Sequence, residues 1–236
     1  MAAFAVDPKD GLMFAPETPY AESHRHFSHA MAIHPLGLIS PTGSAAERTI
    51  VQNTLATLDR IGPDGWCGYS YAWLGNMKAR ALDGTGAARA LRIFADAFCL
   101  PNSFHANGDQ TKSGFSRLTY RPFTLEGNFA FAAGLQEMLL QSHDGIVRVF
   151  PAVPPSWKEA SFFTFRAQGA FLVSAEMKDG LVRWIRVLSE KGGRLRLRNP
   201  FEGLFHIDGA KGNAVEGLIE IDTVPGQEIL LEFEEE

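Results

Sequence analysis

The run Arg121-Pro122-Phe123-Thr124-Leu125-Glu126-Gly127-Asn128-Phe129 carries one carboxylate directly before a Gly-Asn pair. That pair lets the backbone turn sharply and start a helix, so the spacing predicts Glu126 on a loop over the end of a helix from about Phe129 to Gln141. A carboxylate mounted there is suited to act as a general base. The plainer reading is a cap on the same helix. A second cluster, His24-Arg25-His26-Phe27-Ser28-His29, brings three imidazoles and a guanidinium to the start of a predicted helix at about Phe27 to Ile33. These groups donate hydrogen bonds to hydroxyl-bearing ligands. The spacing His-x-His-x-x-His has no nearby Cys and fits no strong zinc signature, so no metal site is expected. Trp66 and Tyr69 stand just ahead of a third predicted helix and are the aromatic rings best placed to face a substrate, whereas Trp73 shares helical spacing with Met77 and reads as core.

Positioning these groups requires helices, and the first part of the chain reads as helical up to about His143. Ser44 with Glu47 makes a capping box for a helix through about Arg60, whose Val51, Leu55 and Leu58 share one face. Further helices are expected at Tyr71 to Leu82 and Ala87 to Phe98. The link from Pro101 to Glu126 is too long for an ordinary helix connection, and its Phe104, Phe115, Tyr120 and Phe123 argue for an ordered, packed loop. After His143-Asp144-Gly145 the pattern turns to short runs typical of strands: Phe162 to Ala167, Phe171 to Met177, Leu181 to Leu188, Arg194 to Arg198, Gly217 to Asp222 and Glu228 to Phe233. Lys178-Asp179-Gly180 and Lys191-Gly192-Gly193 are predicted hairpin turns, and Trp184 is expected in the core.

With 236 residues and 45% hydrophobic content, the chain is long enough for one large domain or two smaller ones. A net charge of -5 and the absence of any Lys/Arg stripe argue against a nucleic-acid partner. No apolar run approaches the roughly 18 to 20 residues of a membrane span, so no membrane partner is expected. Two cysteines, Cys67 and Cys99, define no disulfide framework.

Four segments, His24 to His29, Gly68-Tyr69-Ser70-Tyr71-Ala72-Trp73, Arg121 to Phe129 with Gln136-Glu137-Met138-Leu139-Leu140-Gln141-Ser142-His143, and Pro151-Ala152-Val153-Pro154-Pro155-Ser156-Trp157, resemble glycoside hydrolase family 95 in type and order. That family comprises the inverting α-L-fucosidases and their α-L-galactosidase relatives, and the resemblance spans most of the chain up to about Leu188. It implies a chain that is mainly α and then all-β. Residues 1–148 would form the C-terminal half of an α/α barrel of twelve helices, and residues 149–236 an antiparallel β-sandwich. The implied activity is inverting hydrolysis of terminal α-linked L-fucose or L-galactose from an oligosaccharide, without a cofactor. Glu126 would be the base, with His24, Arg25, Trp66, Tyr69 and Asn128 at the substrate and all gathered on one open face.

The resemblance also carries tensions. The family has an aspartate where Glu126 stands, and the longer side chain moves the carboxylate by about 1.5 Å. A misplacement of about 1 Å can cost on the order of a hundredfold in rate, which implies a shifted water and a different sugar, or lost activity. The family's general acid, and the asparagines that share the base's work, lie earlier than any segment matched here. The chain is therefore expected to need the N-terminal half of the same enzyme or self-association, and to be inactive alone. The alternative is a non-catalytic carbohydrate-binding or structural fragment. A periplasmic or extracellular location follows if a preceding segment carries a signal, and a cytoplasmic one otherwise.

Overall fold

The computed structural model describes residues 4–234. They divide into two compact units, Met1–Met138 and Leu139–Glu236. The first is helical. It opens on a two-strand ribbon, β1 (Val6–Asp7) and β2 (Gly11–Leu12), anchored where the Leu12 amide donates to Thr54 Oγ1 at 2.9 Å. Helix α1 (Ala45–Ile61) begins with the predicted capping box: Ser44 Oγ accepts from the Glu47 amide and Glu47 accepts from the Ser44 amide. It buries Val51, Leu55 and Leu58 on one face.

Helix α2 (Gly68–Arg80) is buried on nearly every side, as a helix central to a core must be. Small residues let its neighbours close in. A Cβ at Gly75 would stand 2.7 Å from Leu91 of α3 (Gly84–Phe98), and one at Gly134 of α4 (Glu126–Leu139) would stand 2.9 Å from the same leucine. Two polar side chains of α2 bond across to α4. Asn76 Nδ2 donates to the Ala130 carbonyl at 2.8 Å, and Arg80 pairs with Glu137 through bonds of 2.5 and 2.7 Å.

Two helical expectations change. The segment at Phe27 to Ile33 forms only a 3-10 turn, Ser28–Ala32, because Pro35 follows at once and cannot continue a helix. Helix α4 starts at Glu126, three residues before Phe129, with the Asn128 and Phe129 amides already bonded to the Leu125 carbonyl. Glu126 is thus the first residue of the helix, and Gly127-Asn128 lies inside its first turn.

The second unit starts ahead of the 148/149 boundary expected from the sequence. Leu140–Gln141 (β3) leaves the helix and pairs antiparallel with Arg148–Val149 (β4), and Leu140, Val147 and Val149 join the sheet core. A six-stranded antiparallel sheet follows in the order β10-β9-β12-β7-β6-β5, built from Ala210–Lys211, Phe205–Ile207, Gln227–Phe233, Leu181–Ser189, Phe171–Lys178 and Ala160–Ala167. A separate pair joins β8 (Gly193–Arg198) to β11 (Leu218–Thr223). Both sheets turn alternate residues into one core, where Val173, Ile185, Val187, Ile229 and Leu231 meet Leu195, Leu197 and Ile219.

The Lys178-Asp179-Gly180 turn is a hairpin, with φ of 55° and 80° at its centre. Lys191-Gly192-Gly193 is not. Its glycines, at φ of 72° and 108°, carry the chain from β7 across to β8 in the other sheet. Trp184 is half exposed beside Phe163 and Arg186 and not in the core. A register shift at Glu176/Met177 buries both Val182 and Ile185 and leaves the residues between them on the outer side. No helix among the described residues is long and apolar enough to cross a membrane.

Candidate active site

The His24 segment has no long helix to hold it and is instead pinned to the loop before α2. The Tyr20 hydroxyl takes the His24 amide at 2.9 Å and donates to the His24 carbonyl at 3.0 Å, while the Trp66 indole donates to the same hydroxyl at 3.2 Å. Ser70 Oγ, in the first turn of α2, donates to the Arg25 carbonyl at 2.7 Å. Ser23 bonds Gly62 and Gly65, and Gly65 passes so close that a Cβ there would meet the Ser23 carbonyl at 2.3 Å.

The result is an open cleft of about 730 Å³ in which His24 and His26 face Tyr69 and Trp73, with Phe14 and Glu22 on its rim. The rings of Tyr69 and Trp73 lie 5.6 Å apart. His24 Nδ1 lies 3.2 Å from the His26 amide and 3.4 Å from the His26 carbonyl, which ties the ring to its own turn. Burial, then the nearby Arg25 and His24, hold His26 below the ordinary imidazole range. His29 is not part of this cleft's chemistry. It is buried between Phe14 and Tyr20, at centroid distances of 4.6 and 5.1 Å, and burial pushes its pKa down to about 4.

Glu126 stands exposed at the start of α4. Its charge is felt at Tyr69, where the phenol is raised first by burial, then by Glu126 and by Cys67. It is also felt at His105, where burial lowers the pKa while the Thr124 bond and the Glu126 charge oppose it. Tyr69 and Glu126 belong to one neighbourhood because the residues beside them, Gly68 and Gly127, both pack on His105 where α2 and α4 begin.

The structure brings together His24, Tyr69 and, through Tyr69, Glu126. It places the other expected residues differently. Trp66 is 3% exposed and packs on Phe27 and Tyr71, so its part is to hold Tyr20. Arg25 is exposed but outside the lining of the cleft. The Asn128 amide is spent on the loop, accepting from the His105 amide at 3.0 Å and donating to the Ser103 carbonyl at 2.8 Å.

Two organising residues were not singled out from the sequence. Asp109, fully buried, gathers the long loop by accepting from the Thr111 amide and hydroxyl, the Lys112 amide and the Phe115 amide. Burial works to raise its pKa, but these bonds prevail and hold it below the usual carboxylate value. His105, also fully buried, lies behind Glu126. The only sequence signal for either was an Asn-, Gly- and His-rich loop too long to be a simple connection. Among the described residues no group of three or more His, Cys, Asp or Glu could hold a metal ion.

Residues 15–139, which include Glu126 and every lining residue of the cleft but Phe14, match the family described as the glycosyl hydrolase family 95 catalytic domain, and residues 141–230 match the glycoside hydrolase family 95 C-terminal domain. The chain belongs to glycoside hydrolase family 95. Within this family setting, it is similar to alpha-L-fucosidase 2 of Arabidopsis thaliana, with 29% identity over 158 residues that make up 66% of this chain and 18% of that protein. The chain therefore spans about a fifth of that relative's length.

Among solved structures it is similar to a GH127 beta-L-arabinofuranosidase from Geobacillus stearothermophilus T6, with 15% identity, a TM-score of 0.31, and coverage of 70% of this chain and 31% of that one. A family 39 glycoside hydrolase from Bacteroides cellulosilyticus WH2 gives 13% identity and a TM-score of 0.25, covering 72% and 32%. Neither superposition is close enough to carry an argument.

Proposed function

We propose that this chain is part of an inverting glycoside hydrolase that removes terminal α-linked L-fucose, or the related L-galactose, from oligosaccharides, with Glu126 as the general base. The observation that carries this reading lies within the residues matching the family 95 catalytic domain: His24 and Tyr69 share one cleft, and the helix starts that carry Tyr69 and Glu126 close on the same His105 ring. The name of the plant relative, alpha-L-fucosidase 2, supports the choice of sugar.

In this reading Glu126 takes the proton of a water as it attacks the anomeric carbon, and a second carboxyl group, about 6.5 to 9.5 Å away, protonates the leaving oxygen. The His24 imidazole hydrogen-bonds to a sugar hydroxyl. Tyr69 and Trp73 pack against the apolar face of the ring and the methyl group of fucose. Arg25, exposed beside the cleft, is a further donor to the substrate. Asn128 and Trp66 support the site by holding the backbones of the 103–105 loop and of His24, and do not touch the sugar.

The helical unit is proposed as part of an α/α barrel and the strand unit as a β-sandwich. The second carboxyl group is proposed to come from outside these residues, from another part of the same enzyme or from an associated copy. This chain alone should then show no turnover of aryl α-L-fucosides. The test is proton NMR of the sugar released by the completed enzyme from an aryl α-L-fucoside. Inversion gives the β anomer first, and initial release of the α anomer would overturn the mechanism. Binding without turnover, even in the completed enzyme, would favour the non-catalytic reading.

A further inference from the structure

Gly68, at the start of α2, and Gly127, in the first turn of α4, both press on one side chain. A Cβ at Gly68 would stand 2.3 Å from His105 Nε2, and a Cβ at Gly127 would stand 2.4 Å from His105 Nδ1. Neither glycine has a left-handed φ, so space and not backbone conformation demands glycine at both places. The imidazole fills the slot between two helix starts, and those starts carry Tyr69 and Glu126.

The ring is itself locked to the residues on either side of Glu126. Nδ1 lies 2.9 Å from the Thr124 carbonyl and 2.9 Å from Thr124 Oγ1. A carbonyl only accepts, so Nδ1 carries the hydrogen, and Thr124 Oγ1 is free to accept because it donates its own proton to Asn107 Oδ1 at 3.1 Å. The His105 amide donates to Asn128 Oδ1, and the Thr124 amide donates to the His105 carbonyl. Phe94 backs the ring at a centroid distance of 5.2 Å.

Nε2, in contrast, is buried with no hydrogen-bond partner. A residue kept only for packing would avoid leaving a buried acceptor unmet, since an apolar ring of similar size would fill the slot without that cost. The imidazole has what such a ring lacks, an N–H aimed at Thr124.

We propose that His105 is a positioning residue for this site: its imidazole is the spacer between the starts of α2 and α4, and with its bond to Thr124 it sets the separation of Tyr69 from Glu126. The spacer role stands on geometry alone. Its consequence for catalysis rests on the reading of Glu126 as the base.

The experiment needs no turnover. In the full chain labelled with [13Cζ]tyrosine, the alkaline titration midpoint of Tyr69 is followed by NMR, with the amide spectrum as the check on folding. The charges facing Tyr69 are Glu126 and Cys67, with Glu22, His24 and His26 around the same cleft. All but Glu126 are common to every variant. Glu126→Gln should move the Tyr69 midpoint to lower pH in the native background. The same change should have a clearly smaller effect in His105→Ala, and an effect close to the native one in His105→Asn, whose amide can still donate to Thr124.

If His105→Ala does not fold, Gly127→Ala replaces it, because the added methyl pushes on the ring and should also reduce the effect. Absence of a shift in the native background, or equal shifts with and without the ring, would overturn the spacer. Full turnover by Glu126→Gln in the completed enzyme would overturn the base assignment and leave the spacer untouched.

Discussion

In the strand unit the sheet core, with Val173, Ile185, Val187, Leu195, Leu197, Ile219 and Ile229, is apolar, and the polar side chains buried there, Gln141, Arg148, Ser189 and Thr223, lie at strand ends. In the helical unit Asn76, Arg80, His105 and Asp109 are buried, while Phe104, Phe123 and Phe129 stand 48%, 53% and 67% exposed. The strands of this unit follow the period-two rule apart from the shifts at Phe162/Phe165 and Glu176/Met177, and their shared core is held by apolar fit. The helical unit spends its interior on polar groups that hold loops and helix starts in place. Local rules are broken where side chains must be positioned, and this divides the molecule into a part built to be stable and a part built to present groups.

Removing a charge from the helical unit should break this contrast most strongly. Arg80→Met keeps most of the volume but leaves the Glu137 carboxylate, only 17% exposed, without its guanidinium. The expected loss is about 3 to 5 kcal/mol, with much of it restored in the double change Arg80→Met, Glu137→Leu. Urea unfolding of both variants reads this, and a single variant as stable as the native chain would show that the pair holds nothing.

The strand unit should respond to volume alone. Leu197→Ala removes a fully buried side chain and should cost about 2 to 5 kcal/mol. Leu197→Met, which conserves volume, should cost less than about 1.5 kcal/mol. Comparable losses from the two substitutions would mean that this core is not governed by apolar fit.

Acid should separate the units further. His29 titrates near 6.5 when unfolded and at about 4 when buried. The folded form therefore binds fewer protons between these values, so the contribution of a neutral His29 is complete above pH 6.5 and is lost as pH falls from 6.5 to 4. At most it amounts to about 3 kcal/mol. In the strand unit Asp144 is desolvated, yet its bonds to Arg148 at 2.7 Å prevail and hold it below the ordinary carboxylate value, so its window lies lower. Hydrogen exchange followed residue by residue should show the helical unit loosening first between pH 6.5 and 4. His29→Phe should reduce that slope and leave the part due to His26 and His105, whose pKa values burial also lowers, and an unchanged slope would move the cause elsewhere.

How much was legible in the sequence follows the same division. The α1 capping box and the strand runs are local signals, and they are found where the residues put them. The crossover at Gly192-Gly193 was not legible, because two glycines permit a hairpin and a change of sheet equally well. Nor was the outward face of Trp184, which depends on a register shift in the neighbouring strand. Gly127 was read as part of the sharp turn that starts a helix, whereas it is a glycine because His105 occupies the space where a Cβ would stand. His105 and Asp109 sit in a loop without periodicity and become meaningful only through partners distant in sequence. Of the site, His24, Tyr69 and Glu126 could be picked out by type, but not the residues that hold them.

The central claim is that Glu126 acts as a base and not as a helix cap, and one kinetic comparison in the completed enzyme tests it most directly. Glu126→Gln keeps the shape of the side chain but cannot take the proton of water. The account predicts a fall in kcat on an α-L-fucoside of about a hundredfold to ten-thousandfold, with sugar binding nearly unchanged. A kcat near that of the native enzyme would contradict it and would reduce Glu126 to the first residue of a helix.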